Sequence, residues 1–153
     1  MISDSIELTR AGADDAPALA RIHLRARAAA GPAFPPPVHA DEDLLPHLLR
    51  DVLPAAEAWL ARIDGEPVGY AVLEGDDLLA DLYVDPVAQR RGVGDALLMH
   101  ARARRPRGLT LWVFTTNTGA QGFYSRRGFR VVGGTPGDNE EGAPDLRMRW
   151  APA

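Results

Sequence analysis

Residues 89–94 read "QRRGVG" and lie between an apolar run and a helical pattern. The run before it, "LLADLYV" (78–84), is closed by Asp85-Pro86 and predicts a strand. The residues after it carry apolar side chains at helical spacing over about 92–104, which predicts a helix. The two glycines therefore lie at a helix N-terminus, where unpaired backbone N–H groups and the positive end of the helix dipole favour an anion.

Two better-known phosphate motifs do not match this junction. Position 97 is leucine, where the dinucleotide fingerprint G-x-G-x-x-G needs a third glycine. No Gly-Lys-Ser/Thr follows, so the stretch is not a P-loop. Taken alone, the six residues are compatible with an ordinary turn or with a cradle for a phosphate or pyrophosphate.

The remaining elements follow from periodicity and turn chemistry. Strands are predicted at 6–11, 57–63, 67–75, 109–114, 129–133 and 145–150, and helices at 14–30, 41–53 and 118–128, with a proline-rich loop at 31–40. Together with the strand at 78–84 and the helix at about 92–104, these elements give the order β-α-α-β-β-β-α-β-α-β-β. This order predicts an α/β fold of the α+β mixed type, in which a twisted, mostly antiparallel sheet of about seven strands has helices on both faces. The length of 153 residues predicts a single domain over 1–153.

Composition and charge narrow the class of protein. The net charge is −4, and an acidic balance argues against nucleic acid as a partner. No apolar run approaches about 18 residues, and residues 1–10 lack the profile of a secretory leader, so we expect no membrane association and a cytoplasmic protein. The chain has no cysteine, and its histidines show no ligand spacing with a carboxylate, so we expect no disulfide and no metal site. All 17 basic residues are arginine.

A second motif downstream favours a functional interpretation of residues 89–94 over an ordinary turn. After Q-x-x-G-x-G (89–94) and the strand at 109–114 comes "NTGAQGFYSRRGF" (117–129), which reads N-x-x-A-x-x-F-Y-x-x-x-G-F. The combination resembles the GNAT superfamily of acyl-CoA-dependent N-acetyltransferases. The resemblance is strongest over 78–133, and the order of the earlier elements extends it to most of the chain. The tail at 138–150 is similar to the ending of small bacterial members.

The resemblance implies a GNAT-like fold that binds acetyl-CoA. In this family the fourth strand leaves the fifth at a bulge, and the pantetheine arm pairs with the exposed backbone. The pyrophosphate lies on the amides at the following helix N-terminus. The residues that match the cofactor site are Leu82, Tyr83, Val84, Gln89, Arg90, Arg91, Gly92, Val93, Gly94, Asp95, Asn117, Ala120 and Tyr124.

The chemistry of acyl transfer gives some of these residues a role. An amine attacks a thioester carbonyl, and a backbone N–H near Val84 can stabilise the charge on the carbonyl oxygen. The departing thiolate needs a proton, and Tyr124 matches the tyrosine that supplies it in the family. Because the chain has no cysteine, the commonest acyl-enzyme nucleophile is missing, which favours direct attack in a ternary complex.

The general base is left open by the sequence. Several GNAT enzymes carry a glutamate on the fifth strand, and the matching position here is Trp112. Asp81, His39, Glu140 and Glu141 are the alternatives, together with a chain of water molecules. His39 and Glu141 are also candidates for binding the acceptor. The other histidines, His23, His47 and His100, lie within predicted helices and are interpreted as structural.

The predicted function is therefore that of an acyl-CoA N-acyltransferase of EC class 2.3.1.-, moving an acetyl group to a primary amine of a small molecule or peptide. Acidic residues at 41–43 and 138–141 suit a cationic acceptor. The alternative is a catalytically degenerate GNAT domain that acts as an acyl-CoA sensor or interaction module, which the missing fifth-strand glutamate favours. Family members often dimerise, so the resemblance also implies a homodimer.

Overall fold

The structure, a computed structural model, describes residues 5–153. Its strands are β1 Ile6–Arg10, β2 Glu57–Ile63, β3 Glu66–Glu74, β4 Leu78–Val84, β5 Leu109–Phe114, β6 Arg130–Thr135 and β7 Asp145–Trp150. Its helices are α1 Ala16–Ala30, α2 Leu44–His47, α3 Val93–Arg104 and α4 Thr118–Ser125. The predicted order of elements is confirmed, and most boundaries agree to within three residues.

The first two helices show why this sequence stays helical where it does. The buried side chains of α1 include Leu19, Ile22 and Ala26, which repeat at the spacing of one helix face. Helix α2 and the turn that follows it form a second helical segment, residues 44–52. Pro46 lies in its first turn, where the missing N–H is tolerated. From Leu48–Val52 this segment continues as a π-helical turn, in which Leu53 N–H donates to Leu48 C=O at 2.9 Å. The single helix expected over 41–53 is thus a composite.

All seven strands form one sheet in the order β1-β2-β3-β4-β5-β7-β6. Every neighbouring pair is antiparallel except β4 and β5, which are parallel. Among residues 5–153, β4 and β5 are in register at one position, Leu78 opposite Thr110. The predicted mixed, mostly antiparallel sheet is therefore confirmed, and it opens between its two parallel strands.

Specific contacts explain where β4 and β5 are joined and where they separate. At the closed end, Thr110 N–H donates to Asp77 C=O at 2.7 Å, and Arg149 bonds to the Asp77 carboxylate at 3.2 Å. Beyond it, Val72 of β3 pairs with Asp81 while Leu73 pairs with Leu79, so Ala80 is an extra residue in β4. Such a bulge bends its strand and interrupts pairing. The two strands are thus pinned together at their start and diverge after Ala80.

Helices cover both faces of the sheet. One hydrophobic cluster packs α1 and α2 on the first strands, with Leu19, Ile22, Leu48, Leu60 and Tyr70 fully buried. The other packs α3 and α4 on the opposite face, through a group of buried residues that includes Val93, Leu97, Leu98, Leu111 and Met148. Within residues 5–153 no helix is both long and apolar enough to cross a bilayer. The expectation about a secretory leader rests partly on residues 1–4, which lie outside the described residues.

Candidate active site

An unpaired backbone edge runs along β4 past the bulge. Here β4 pairs with β3 as far as Val84 opposite Gly69, and no residue of β5 within the described chain is in register with it. Free N–H and C=O groups on a strand edge bind an extended chain readily. Leu82, Tyr83 and Val84, which the sequence predicts as contacts for a pantetheine arm, all lie on this edge.

The "QRRGVG" stretch forms the N-terminus of α3 and lies beside that edge. Gly92 precedes the helix in a left-handed conformation with φ of +85°, and Arg90 has φ of +65°. A Cβ at Gly94 would lie 3.3 Å from the ring of Phe123 and 3.9 Å from Val84. The glycines thus serve a sharp turn and a close approach, which leaves the first amides of α3 facing outward beside β4.

An ion pair ties this helix end to α4. The Asp95 carboxylate accepts hydrogen bonds from Arg127 at 2.5 Å and 3.1 Å, and these bonds hold the pKa of Asp95 below its ordinary value. The Arg127 guanidinium also lies 3.8 Å from the centre of the Phe123 ring. Both charged groups are therefore engaged with each other, and Asp95 fixes the position of the α3 N-terminus relative to α4.

The start of α4 is set by Asn117. Its side-chain oxygen accepts from Ala120 N–H at 3.1 Å, so Asn117 caps the helix. Gln121 donates to the carbonyls of Phe114 and Thr115, both at 3.0 Å, and so anchors α4 to the end of β5. The motif residues Asn117 and Ala120 thereby place α4 at the open end of the sheet.

Tyr124 lies on α4 within the core that α3 and α4 share. Its ring meets Phe123 and Phe129 edge to face, with centroids 5.2 Å and 5.3 Å away. Burial raises the pKa of the Tyr124 hydroxyl, and the charge of Asp81 raises it further. The hydroxyl therefore stays protonated at physiological pH and can donate a proton.

Asp81 stands on β4 at the level of the bulge. It is half-buried, and burial together with the charge of Glu74 raises its pKa to about 6. Arg27 and His47 act in the opposite direction on that pKa. A carboxyl group with a pKa near neutrality can accept a proton and release it again, as a general base must.

A pocket of about 1080 Å³ opens on the α1 and α2 face of the sheet. Its walls are α1, the proline-rich loop, the second helical segment and the loop before β7. The acidic residues that line it are Asp41, Asp43, Asp51, Glu140 and Glu141. Phe34 also lines it and approaches Tyr83 and Phe114, with centroid separations of 6.3 Å and 6.2 Å. The pocket combines an aromatic part with an acidic rim.

The predicted acceptor residues meet at this rim. His39 Nε2 lies 3.2 Å from one carboxylate oxygen of Glu140 and 3.3 Å from the other, and both residues line the pocket. Glu141 lines it too, and its charge contributes to raising the pKa of Tyr83. Trp112 is half exposed and borders a separate pocket of about 260 Å³. The position of the missing fifth-strand glutamate thus does not line the pocket of about 1080 Å³.

Three residues of the pocket wall were not predicted as functional. His23, interpreted as structural, lies in a hydrogen bond with the Tyr70 hydroxyl at 2.9 Å, and burial lowers its pKa to about 4. His47, interpreted in the same way, lies 3.0 Å from Asp51 and faces the pocket. Arg27 completes the set. His23 and Arg27 lie four positions apart on α1 and so share one helix face, but Arg21 and Arg25 on the same helix show a similar spacing, so the signal in the sequence was weak.

The comparisons with known proteins identify the class. A family model described as an acetyltransferase (GNAT) domain matches residues 54–131. The peptidyl-lysine N-acetyltransferase YjaB of Salmonella typhimurium is 43% identical over 90 residues, covering 58% of this chain and 61% of that protein. The peptidyl-lysine N-acetyltransferase YiaC of Escherichia coli is 36% identical over 109 residues, covering 71% and 73%. The match to the Salmonella protein thus spans about three fifths of that relative.

The fold agrees with the same class. The solution structure of apo YjaB from Escherichia coli superposes with a TM-score of 0.78 at 30% identity, covering 97% of this chain and 99% of that one. An open sheet edge beside a helix N-terminus is the arrangement that the resemblance to the GNAT superfamily implies. The chain belongs to the GNAT family of acetyltransferases.

Proposed function

We propose that this GNAT protein acetylates the side-chain amine of a lysine in a peptide or protein, by direct attack within a ternary complex. The observation that carries the proposal is the position of Asp81. Its charge affects the pKa of Tyr124 on one side, and Arg27 and His47 of the pocket wall affect its own pKa on the other. Asp81, a candidate proton acceptor, therefore interacts electrostatically both with Tyr124, the candidate proton donor, and with two residues that line the acidic pocket.

The residues present are compatible with acetyl-CoA. The edge at 82–84 has unpaired backbone groups for an extended amide-containing arm, and the α3 amides beside the left-handed Gly92 suit a pyrophosphate. Residues 89–94 would hold the pyrophosphate, while Asp95 and Asn117 keep α3 and α4 in place around it. When bound, acetyl-CoA would supply an acetyl group activated as a thioester.

The proposed roles of the residues follow from their charge states. Asp81 takes the proton of the acceptor ammonium, so that the amine nitrogen can form its bond to the acetyl carbonyl carbon as the carbon–sulfur bond breaks. The backbone N–H near Val84 stabilises the charge on the carbonyl oxygen. As the amide forms, the nitrogen loses its second proton to solvent, while Tyr124 gives its own proton to the departing sulfur and is then re-protonated from solvent.

A lysine acceptor has two kinds of support. The carboxylates around the pocket attract a cationic side chain, as the sequence predicted for acidic groups at 41–43 and 138–141. Two relatives carry the name peptidyl-lysine N-acetyltransferase. The sequence also predicted a small-molecule amine as the acceptor. The test below therefore compares small amines with a lysine peptide.

The test uses the absence of lysine from this chain. Purified protein is incubated with acetyl-CoA and a lysine peptide, the same peptide with arginine, or small primary amines, and free thiol release and product mass are measured. Acetyl-lysine then belongs to the substrate, because the enzyme has none to modify. We expect thiol release with the lysine peptide and none above background with the arginine peptide. Tight CoA binding without transfer to any amine would favour the alternative of a degenerate, acyl-CoA-sensing domain.

A further inference from the structure

Arg27 is a cation in the pocket wall whose guanidinium is incompletely satisfied. It lies in the last turn of α1, borders the pocket and stacks on the Phe34 ring with 4.4 Å to the centroid. Its Nη2 atom is shielded from solvent and has no hydrogen-bond partner in the described structure. A buried donor without a protein acceptor is costly, which makes Arg27 a candidate for bonding a group that enters the pocket.

Two other arginines, unlike Arg27, each pair with a carboxylate of the described chain. Arg25, also on α1, pairs with Asp85 at 3.0 Å, and Arg62 pairs with Asp15 at 3.1 Å. Arg27 makes no ion pair with a carboxylate of residues 5–153, although five acidic residues line the same pocket. Two of those carboxylates are engaged elsewhere, Glu140 with His39 and Asp51 with His47.

A purely structural role explains only part of this arrangement. A cation in the last turn of a helix complements the dipole, and stacking on Phe34 is favourable by itself. Both contacts would hold the side chain in place, and neither gives Nη2 an oxygen to bond. Because Arg27 borders the pocket, its guanidinium can instead bond the carboxylate of a molecule that enters the pocket.

We propose that Arg27 binds a carboxylate of the acceptor, so that the protein selects amines that carry a carboxylate close to the reacting group. This inference rests on the proposed acetyl transfer and narrows its substrate class. The acidic rim attracts the ammonium group of the acceptor, and Arg27 binds its carboxylate. The pocket therefore has a negatively charged part and a positively charged part. The carboxylate comes either from an aspartate or glutamate next to the lysine in a peptide, or from the α-carboxyl group of a free amino acid.

The experiment compares acceptors that differ in one carboxylate. The first pair is a lysine peptide with aspartate neighbours and the same peptide with asparagine, and the second is free lysine and lysinamide. We expect wild-type kcat/KM to favour the carboxylate member of one pair by about 10- to 100-fold, the range of a charge-assisted hydrogen bond. The pair that shows the preference identifies the source of the carboxylate.

Two variants assign the preference to Arg27. Arg27→Met keeps an apolar stem against Phe34 and should bring both members of the pair to equal kcat/KM. Arg21→Met removes an exposed arginine of the same helix and should behave like the wild type. Assays at pH 8 keep Asp81 ionised in every variant. Equal wild-type rates within both pairs, or a preference that survives Arg27→Met, would overturn the inference.

A binding measurement separates this inference from the proposed function. Calorimetry with the ε-acetylated forms of the four acceptors needs no turnover. Tighter binding of a carboxylate form, lost in Arg27→Met and kept in Arg21→Met, would support the role of Arg27 even if no amine were acetylated. Equal binding of both forms in each pair would reject that role even if transfer were observed.

Discussion

His39 Nε2 lies 3.2 Å from a carboxylate oxygen of Glu140, a residue 101 positions further along the chain. The pair joins the proline-rich loop to the loop before β7 across the pocket rim. Both side chains are about two-thirds exposed, and an exposed pair of this kind contributes at most about 1 kcal/mol. The contact therefore orders the two loops weakly, and Glu140 remains open to solvent.

Glu140→Gln tests whether Glu140 is a rim residue or the base. We expect KM for the lysine peptide to rise about two- to fivefold, with kcat and CoA affinity unchanged, because the variant loosens the rim and leaves Asp81 intact. Steady-state kinetics and CoA calorimetry provide the measurements, with Asp138→Asn in the same loop as the control. A loss of about 100-fold in kcat would instead assign Glu140 the base role that the sequence left open.

Gly92→Glu tests the anion cradle at the α3 N-terminus. Gly92 has φ of +85°, so any side chain adds roughly 1–2 kcal/mol of backbone strain, and glutamate also brings a negative charge to the proposed pyrophosphate site. We expect CoA binding to be lost while the protein stays folded by circular dichroism.

Gly75→Glu is the matched control for this variant. Gly75 also has positive φ, at +54°, and has open space around it, but it lies in the turn between β3 and β4. The control should show a similar loss of stability and unchanged CoA affinity. Normal CoA binding by the Gly92 variant would contradict the cradle assignment.

The fold was largely predictable because its signals are local. Alternation in 57–63 and 67–75 around Asp64-Gly65 predicts the hairpin, and the structure confirms it. The π-helical turn at Leu48–Val52 was not predicted, since the apolar pattern there does not distinguish it from an α-helix. Helix α4 ends at Ser125, three residues before the predicted stop at Gly128. Residues 126–128 form a turn, and Gly128 ends it with a left-handed φ of +90°.

The two halves of the site differed in how far they could be predicted. The predicted cofactor half comes from three contiguous motifs, at residues 82–84, 89–95 and 117–124. The structure places these motifs around one opening of the sheet. The wall of the proposed acceptor pocket depends on contacts between distant segments, such as His39 with Glu140. His23 and His47 face a pocket only because α1 and the second helical segment pack side by side on the sheet. No local pattern encodes that arrangement.

Tyr124→Phe tests the proton donor. The ring packs between Phe123 and Phe129, so removing the hydroxyl should leave stability and CoA affinity nearly unchanged. We expect kcat to fall by roughly 100-fold, the lower end of the range for general acid catalysis. Single-turnover rates and CoA calorimetry measure the two quantities separately. Phe123→Leu, which alters the neighbouring ring and no hydroxyl, is the control, and a variant that lost CoA affinity with kcat intact would make Tyr124 a binding residue.

Asp81→Asn tests the proton acceptor through the pH profile. With a pKa of about 6, the Asp81 carboxyl is ionised above that pH and can accept a proton, so wild-type kcat should fall as the pH drops through about 6. The variant should lose about 100-fold or more at pH 8 and should lack this acidic limb. Arg27→Met should move the limb to higher pH, because the Arg27 charge lowers the pKa of Asp81. An unchanged limb in Asp81→Asn would assign the proton transfer to another group or to water.

The ionisation of Asp81 should also affect the stability of the folded protein. Burial raises the pKa of Asp81 from its ordinary 3.8 to about 6 in the folded state, so the native protein binds this proton more tightly than the unfolded chain does. The favourable contribution is complete below about pH 3.8 and is lost as the pH rises through 6, because the slope of stability with pH follows the difference in bound protons. At pH 8 the ionised carboxylate should cost about 1–3 kcal/mol.

Asp81→Asn should therefore stabilise the protein in a pH-dependent way. The asparagine side chain carries no charge, so the variant should increase the free energy of unfolding in urea at pH 8 and change it little at pH 4. Asp77→Asn, which alters a half-exposed carboxylate bonded to Arg149, should not show this pH-dependent gain. Equal stability of Asp81→Asn and wild type at both pH values would mean that the Asp81 carboxylate is solvated and its pKa ordinary.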